Sequence, residues 1–160
     1  MVIFNKIHLT AITLLFFGTI LNILPFSEAL VSKTPPILLL ILIYLSLAFP
    51  NQINLTYAFI SGLIMDILLI TPLGFNALCY TITIYLILLY YPQIRLQSNW
   101  NKMFSLLIIL IPYFFISTAV NSMLNIEYNI LDVCISVLIS ILIWPGLFGM
   151  LRIKKQKYTS

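Results

Sequence analysis

Residues 53–91 read INLTYAFISGLIMDILLITPLGFNALCYTITIYLILLYY, and this stretch decides the fold. It holds two apolar runs, 53–70 and 75–91, which are separated by a short turn and contain one charged residue, Asp66. A membrane-spanning helix takes about 20 mainly apolar residues, so each run has nearly the length of one crossing. The whole chain has the same character, because 62% of its 160 residues are hydrophobic and 8% are charged. A soluble domain carries about 25% charged residues. Composition therefore excludes a soluble enzyme, a disordered chain and a disulfide scaffold, and predicts an integral membrane protein.

Four further apolar runs flank this stretch, with the bounds 7–24, 35–49, 103–120 and 130–151. Prolines mark most of the boundaries, because proline cannot continue a helix interior but is tolerated in the first turn. On this reading Pro92 closes the fourth run. The sequence predicts an all-α, polytopic helical bundle with six crossings. Residues 1–151 form a single transmembrane domain, and residues 152–160 form a basic tail.

The basic residues predict the orientation of the bundle. With six crossings and both termini in the cytoplasm, the outer loops hold one basic residue, Lys33. The inner segments hold seven: Lys6, Arg95, Lys102, Arg152, Lys154, Lys155 and Lys157. This bias follows the positive-inside rule and predicts a multi-pass protein of the bacterial cytoplasmic membrane. The four tail residues are expected to anchor the chain at the inner surface. Anionic lipids or an acidic patch on a cytoplasmic protein are their candidate partners.

The second run is short for a crossing. Its 15 residues extend about 22 Å as a helix, against a hydrocarbon core of roughly 30 Å. The turn to the third run is only Asn51-Gln52. We therefore expect the second and third runs to form a closely packed helical hairpin, with a re-entrant pair as the alternative.

The residues that carry enzyme chemistry are scarce. His8 is the single histidine and is expected to be an interfacial polar residue, while Cys79 and Cys134 lie in apolar runs as small hydrophobic residues. The sequence has no serine triad, phosphate-binding glycine loop or metal-ligand spacing. We expect neither catalysis nor a cofactor. Nucleic-acid binding is also excluded, because the tail bases follow an apolar run directly rather than covering a polar folded face.

Asp66 is the conspicuous residue, because it is the one charged group well inside an apolar run. An aspartate at the centre of a bilayer costs about 2.5–3.5 kcal/mol on insertion scales, so such residues are usually functional. Three roles stay open: an interhelical hydrogen bond, a partner contact, and part of an ion or proton path. Gly62 lies one turn earlier and predicts a close helix contact. The candidate partners of Asp66 at a similar depth are Asn22, Lys33, Asn76 and Asn121.

Several segments together resemble one family, the rod shape-determining protein MreD family. The resemblance is carried by residues 35–50, by Gly62 to Asp66 followed by residues 72–78, and by Trp144-Pro145 leading into Arg152. It implies a non-enzymatic inner-membrane scaffold of the cell-elongation complex, needed for rod shape and lateral peptidoglycan synthesis. Its implied partners are MreC directly and, through MreC, the filament protein MreB and the synthases RodA and PBP2. The implied structural or partner-binding residues are Gly62, Asp66, Pro72, Gly74, Asn76, Trp144 and Pro145.

A different class of function stays open beside the scaffold. The resembled family looks related in fold to the substrate-binding membrane components of vitamin transporters. A function of that kind needs a polar pocket in the outer half of the bundle, where Asp66, Asn76 and Asn121 would converge.

Overall fold

The computed structural model describes residues 2–23, 36–123, 135–140, 142 and 143. Residues 135–140, 142 and 143 are helical, and so are five longer segments: α1 (Val2–Ile23), α2 (Ile37–Ala48), α3 (Leu55–Leu68), α4 (Phe75–Leu96) and α5 (Asn99–Met123). The described part of the chain contains helices and no strands, which confirms the prediction of an all-α protein. Trp144, Pro145 and the basic tail lie outside the described residues.

The expected helix end at Pro92 is wrong. Helix α4 continues through Pro92 to Leu96, and α5 begins at Asn99 after a break of two residues. Proline removes one backbone hydrogen bond and crowds the preceding turn. Here that loss falls near the C-terminal end of a 22-residue helix, and apolar helices in membranes accommodate such losses by local adjustment. The basic segment 92–102 is therefore mostly helical rather than a loop.

Helix α2 is the centre of the bundle. Nine consecutive residues, from Leu38 to Ser46, are buried, so the helix has neighbours on every side. A helix that is apolar all round is expected in such a position. It packs against α1 and α4. The contact with α1 is close at Gly18, where an added Cβ would lie 2.9 Å from the Ile41 side chain.

The closely packed hairpin is formed by α3 and α4, so the expected pairing of the second run with the third is wrong. Helices α2 and α3 make almost no contact along their lengths, whereas α3 and α4 make the most extensive contact of any two helices described. The six residues 49–54 separate α2 from α3, and Ile53 among them is fully buried. Gly62 of α3 faces α4 instead, and its missing side chain permits the close approach.

The outward faces of the helices are strongly apolar. The exposed large hydrophobic side chains recur at helical spacing along three helices: Leu9, Ile12, Phe16, Ile20 and Ile23 on α1; Phe59, Ile60, Ile64 and Ile67 on α3; and Phe104, Ile108, Ile111 and Phe115 on α5. Exposed apolar patches of this extent mark surfaces that contact a membrane or another protein rather than water.

Among the described residues, one helical segment is both long and apolar enough to cross a membrane by itself, Phe75–Ile94. Four shorter apolar helical segments accompany it: Ile7–Ile23, Ile37–Ala48, Leu55–Leu68 and Leu107–Ala119. The number of crossings and the side on which the termini lie stay predictions.

Candidate functional site

The turn between α3 and α4 has an unusual backbone. Leu69 N–H closes α3 on the Met65 carbonyl at 2.9 Å. Ile70 then adopts a left-handed conformation (φ 54°) and Gly74 another (φ 94°). Left-handed backbone suits glycine and is costly for a β-branched residue. An added Cβ on Gly74 would meet no atom within 4 Å. Glycine is therefore needed at position 74 for its backbone conformation and not for space.

The Asp66 carboxylate, on the last full turn of α3, collects the polar groups of this turn. Its Oδ1 accepts hydrogen bonds from the Thr71 hydroxyl (2.9 Å), the Asn76 backbone N–H (2.8 Å) and the Asn76 side-chain amide (2.9 Å). Its Oδ2 accepts from the backbone N–H groups of Gly74 (2.9 Å) and Ala77 (3.4 Å). Asp66 is only 1% exposed, so these donors replace water as the partners of a buried carboxylate.

This arrangement caps α4 from a neighbouring helix. The first N–H groups of any helix lack partners within the helix, and Gly74, which precedes α4, has no side chain to supply one. Asp66 instead accepts the N–H groups of Asn76 and Ala77, while Phe75 donates to the Pro72 carbonyl at 3.1 Å. A carboxylate at a helix N-terminus also interacts favourably with the helix dipole, by up to about 2 kcal/mol when partly buried.

Gly62 brings α3 close enough to α4 for Asp66 to reach these groups. It lies one turn before Asp66, and an added Cβ would come within 2.8 Å of the Asn76 carbonyl carbon and nearer still to the Ala77 backbone. Real Cβ atoms do not approach backbone atoms so closely. The two helices therefore touch backbone to backbone at Gly62, as small residues permit between membrane helices.

We name this unit the Asp66 clasp: Gly62, Asp66, Thr71, Gly74 and Asn76. The amide of Asn76 holds it together, because it donates both to Asp66 and to the Thr71 hydroxyl (3.1 Å). Four of its members are residues that the sequence singled out. Thr71 was missed, because beside Pro72 it reads only as a helix stop. Its position five residues after Asp66 is the signal that could have found it.

Of the four candidate partners of Asp66, the structure describes the side chains of two, Asn22 and Asn76, and only Asn76 contacts the carboxylate. Asn76 contacts the carboxylate, whereas Asn22 accepts a hydrogen bond from the Ile37 backbone N–H (3.3 Å) and links the end of α1 to the start of α2. Lys33 and the side chain of Asn121 lie outside the described residues, as do the expected site residues Trp144, Pro145, Arg152, Lys154, Lys155 and Lys157. Pro72 belongs to the turn, where its carbonyl accepts the Phe75 N–H.

A second polar contact joins α1 to α3 at the opposite end of α3. His8 Nδ1 and the Tyr57 hydroxyl share a hydrogen bond, and the two rings stack with centroids 5.8 Å apart and planes 11° apart. The N-terminal ends of α1 and α3 therefore lie side by side. The Asn22 and Asp66 contacts each join a C-terminal helix end to the next N-terminal end. Successive helices from α1 to α4 thus run in alternating directions.

Several polar groups of the described core bond within their own helices, although the buried Ser46 hydroxyl has no hydrogen-bond partner. Ser61 and Thr83 donate to carbonyls of their own helices, at 2.7 Å to Tyr57 and 2.8 Å to Cys79. The described residues contain no group of three or more histidine, cysteine or acidic side chains that could hold a metal ion.

A groove of about 250 Å³ beside α5 is apolar, lined by Leu107, Leu110, Ile111, Phe114, Phe115, Thr118 and Val137. In the part of the chain that the structure describes, Asp66 and Asn76 bond to each other, and the transporter-type pocket stays a prediction.

The apolar helix faces and the buried hydrogen-bonded carboxylate indicate the general class of the protein, and the comparison with known families then gives the family. Helices with apolar outward faces and internally satisfied buried polar groups are characteristic of membrane-associated helical proteins. A family model described as rod shape-determining protein MreD matches residues 3–154, and the chain belongs to that family. The resemblance stated from the sequence is thereby confirmed. Members of the family are membrane-associated structural components that determine cell shape, and they are not a known enzyme family.

One curated relative gives the same result at the level of whole sequences. The rod shape-determining protein MreD of Haemophilus influenzae is 27% identical over 150 residues, which cover 92% of this chain and 91% of the relative. No solved structure matches the chain significantly.

Proposed function

We propose that the chain is a multi-pass protein of the bacterial cytoplasmic membrane that acts as a non-enzymatic scaffold of the cell-elongation complex. In this role it is needed for rod shape and for lateral peptidoglycan synthesis. The observation that carries the proposal is the family match over residues 3–154, and the apolar outward faces of α1, α3 and α5 support the membrane placement.

The proposed topology has six crossings and both termini in the cytoplasm. The alternating directions of α1 to α4 support an up-and-down path through the bilayer. The distribution of basic residues, seven in the inner segments and Lys33 outside, supports the orientation. In this arrangement Arg152, Lys154, Lys155 and Lys157 lie against the anionic inner surface of the membrane.

The proposed mechanism is lateral association in the membrane plane. The bundle binds MreC directly and thereby holds MreB, RodA and PBP2 in one complex. Between helices in lipid there is little hydrophobic driving force, so such a contact depends on close packing and a few hydrogen bonds. Close packing requires a surface of fixed shape. The Asp66 clasp supplies this by fixing α3 against α4 at Gly62 and at the turn.

The test is complementation of a rod-shaped bacterium from which the native MreD is depleted. Cells that express this chain should remain rods and the chain should copurify with MreC, whereas depleted cells should round and swell. Asp66→Leu should reduce both, because it removes the acceptor for the turn. The matched control is Ile64→Leu, an exposed apolar position half a turn away, which should behave as wild type. Rounded cells despite normal membrane levels of the wild-type chain would contradict the proposal.

A further inference from the structure

The C-terminal ends of α1 and α3 share a pattern of residues. In α3, Gly62 is followed four residues later by the acceptor Asp66, which lies two residues before the end of the helix. In α1, Gly18 is followed four residues later by Asn22, which lies one residue before the end of the helix. Because residues four apart lie one above the other on a helix, each glycine shares a helix face with its polar residue.

The two glycines have equivalent places in the helix packing. Gly62 faces Ala77, the third residue of α4, whose backbone an added Cβ would meet. Gly18 faces Leu38, the second residue of α2, where an added Cβ would lie 3.2 Å from the side chain and 3.5 Å from the Cα atom. Each glycine therefore admits the first turn of the helix that follows in the chain, and the approach at Gly18 is the less close of the two.

The two polar residues also have equivalent hydrogen-bond partners. The first N–H groups of a helix lack partners within the helix. The residues that precede α2 and α4 are Pro36 and Gly74, and neither caps its helix through a side chain. Asn22 Oδ1 accepts the N–H of Ile37, the first residue of α2, at 3.3 Å. Asp66 accepts the N–H groups of the second and third residues of α4. In both cases the cap comes from the preceding helix.

The two units lie at the same end of the bundle, because successive helices from α1 to α4 run in alternating directions. Their connections differ in length, since residues 24–36 separate α1 from α2 and residues 69–74 separate α3 from α4. The shared unit therefore does not follow from a shared turn. The sequence of α5 has the same spacing of a small and a polar residue, with Ser117 and Asn121 close to the helix end at Met123.

We propose that α1 to α4 form two copies of one helical hairpin, in which a glycine and a polar acceptor near the end of the first helix hold and cap the second. Asn22 has in the first copy the role that Asp66 has in the second. Asn22 is then a positioning residue, because it fixes the central helix α2 against α1. Its contribution to the scaffold rests on the function proposed above, whereas the repeat rests on the helix contacts and hydrogen bonds alone.

Amide hydrogen exchange of the ¹⁵N-labelled chain in mixed micelles tests the repeat, because a capped N–H exchanges more slowly than one that is open to water. Asn22→Leu should accelerate exchange of the Ile37 amide by about three- to ten-fold, as expected for the loss of one hydrogen bond. It should leave the Asn76 amide unchanged, because Asp66 still caps α4. Asn22→Asp should keep the Ile37 amide protected, since a carboxylate can accept the same bond and is favoured at a helix N-terminus.

Thr19→Val is the matched control, because the Thr19 hydroxyl is buried in α1 and donates to the Phe16 carbonyl of the same helix at 2.7 Å. Asn22→Ala repeats the measurement if Asn22→Leu does not fold. Equal exchange of the Ile37 amide in Asn22→Leu and Thr19→Val would overturn the repeat. Loss of protection in Asn22→Asp to the level of Asn22→Leu would overturn it as well, because the acceptor would then not be what position 22 supplies.

The positioning role is tested in the depleted cells described above. Asn22→Leu should reduce copurification of MreC several-fold, and Asn22→Asp should restore it. Full recovery of MreC with Asn22→Leu, in cells that the wild-type chain keeps as rods, would overturn the positioning role. If the wild-type chain itself does not restore rods, the proposed function is wrong, and the exchange measurement alone decides the repeat.

Discussion

At the scale of single residues, the Asp66 carboxylate is the group on which the α3–α4 turn depends. It accepts hydrogen bonds from side chains and from three backbone N–H groups while almost fully buried. The sequence predicts its importance and includes Asn76 among its candidate partners. The participation of the backbone N–H groups could not be predicted, because it depends on the left-handed conformation of Ile70, which hydropathy does not encode.

Asp66→Ala should lower the free energy of unfolding by about 3 kcal/mol, because several buried donors lose their acceptor and each costs about 1–3 kcal/mol. The measurement is equilibrium unfolding of the purified chain in mixed micelles. Thr83→Val is the matched control. Its buried hydroxyl bonds only to the Cys79 carbonyl of its own helix, so its loss should cost less than about 1 kcal/mol. Equal effects of the two substitutions would show that the clasp adds no stability.

Gly74→Ala should destabilise the chain by about 1–2 kcal/mol, because a Cβ is unfavourable in left-handed backbone. Gly74→Asn should recover part of this loss, since asparagine tolerates that conformation and the space around position 74 is open. Thermal unfolding of the three proteins in one detergent checks the order glycine, asparagine, alanine. Asparagine ranking below alanine would mean that space and not backbone conformation limits position 74.

At the scale of helices, apolar runs predict where the elements lie but not which of them pair. The runs 35–49 and 53–70 match α2 and α3 to within about two residues. Their expected pairing failed because the contact is decided by Gly62, whose missing side chain admits the backbone of α4. The helix end at Pro92 failed for a related reason. Local proline chemistry is outweighed by the packing of a long apolar helix, in which Ile94, two residues further on, is buried.

Alanine substitutions at two buried glycines test the described helix packing. At Gly62 an added Cβ meets the backbone of Ala77, whereas at Gly18 it meets the far end of the Ile41 side chain. Backbone cannot move aside, but a side-chain end can change rotamer. Gly62→Ala should therefore cost about 2–3 kcal/mol, in the range of an overpacked core, and Gly18→Ala less than about 1 kcal/mol. Unfolding in mixed micelles measures both, and a larger cost at Gly18 would contradict the described packing.

At the scale of the whole molecule, the chain is a member of the MreD family whose described helices turn apolar faces outward and bury the Asp66 carboxylate among hydrogen-bond donors. The sequence predicts the helical class, the family and the position of Asp66. The placement of the bundle in the membrane is proposed from charge distribution and surface character together. The scaffold function and the anchoring tail both depend on that placement.

A reporter fused after Ser160 tests the placement most directly. An even number of crossings with cytoplasmic termini predicts that a fused β-galactosidase is active in growing cells and that a fused alkaline phosphatase is inactive. The same pair of reporters after Ser32, in the expected first outer loop, should give the opposite result and serves as the control. Active alkaline phosphatase after Ser160 would put the cationic tail on the wrong side of the membrane and contradict the account.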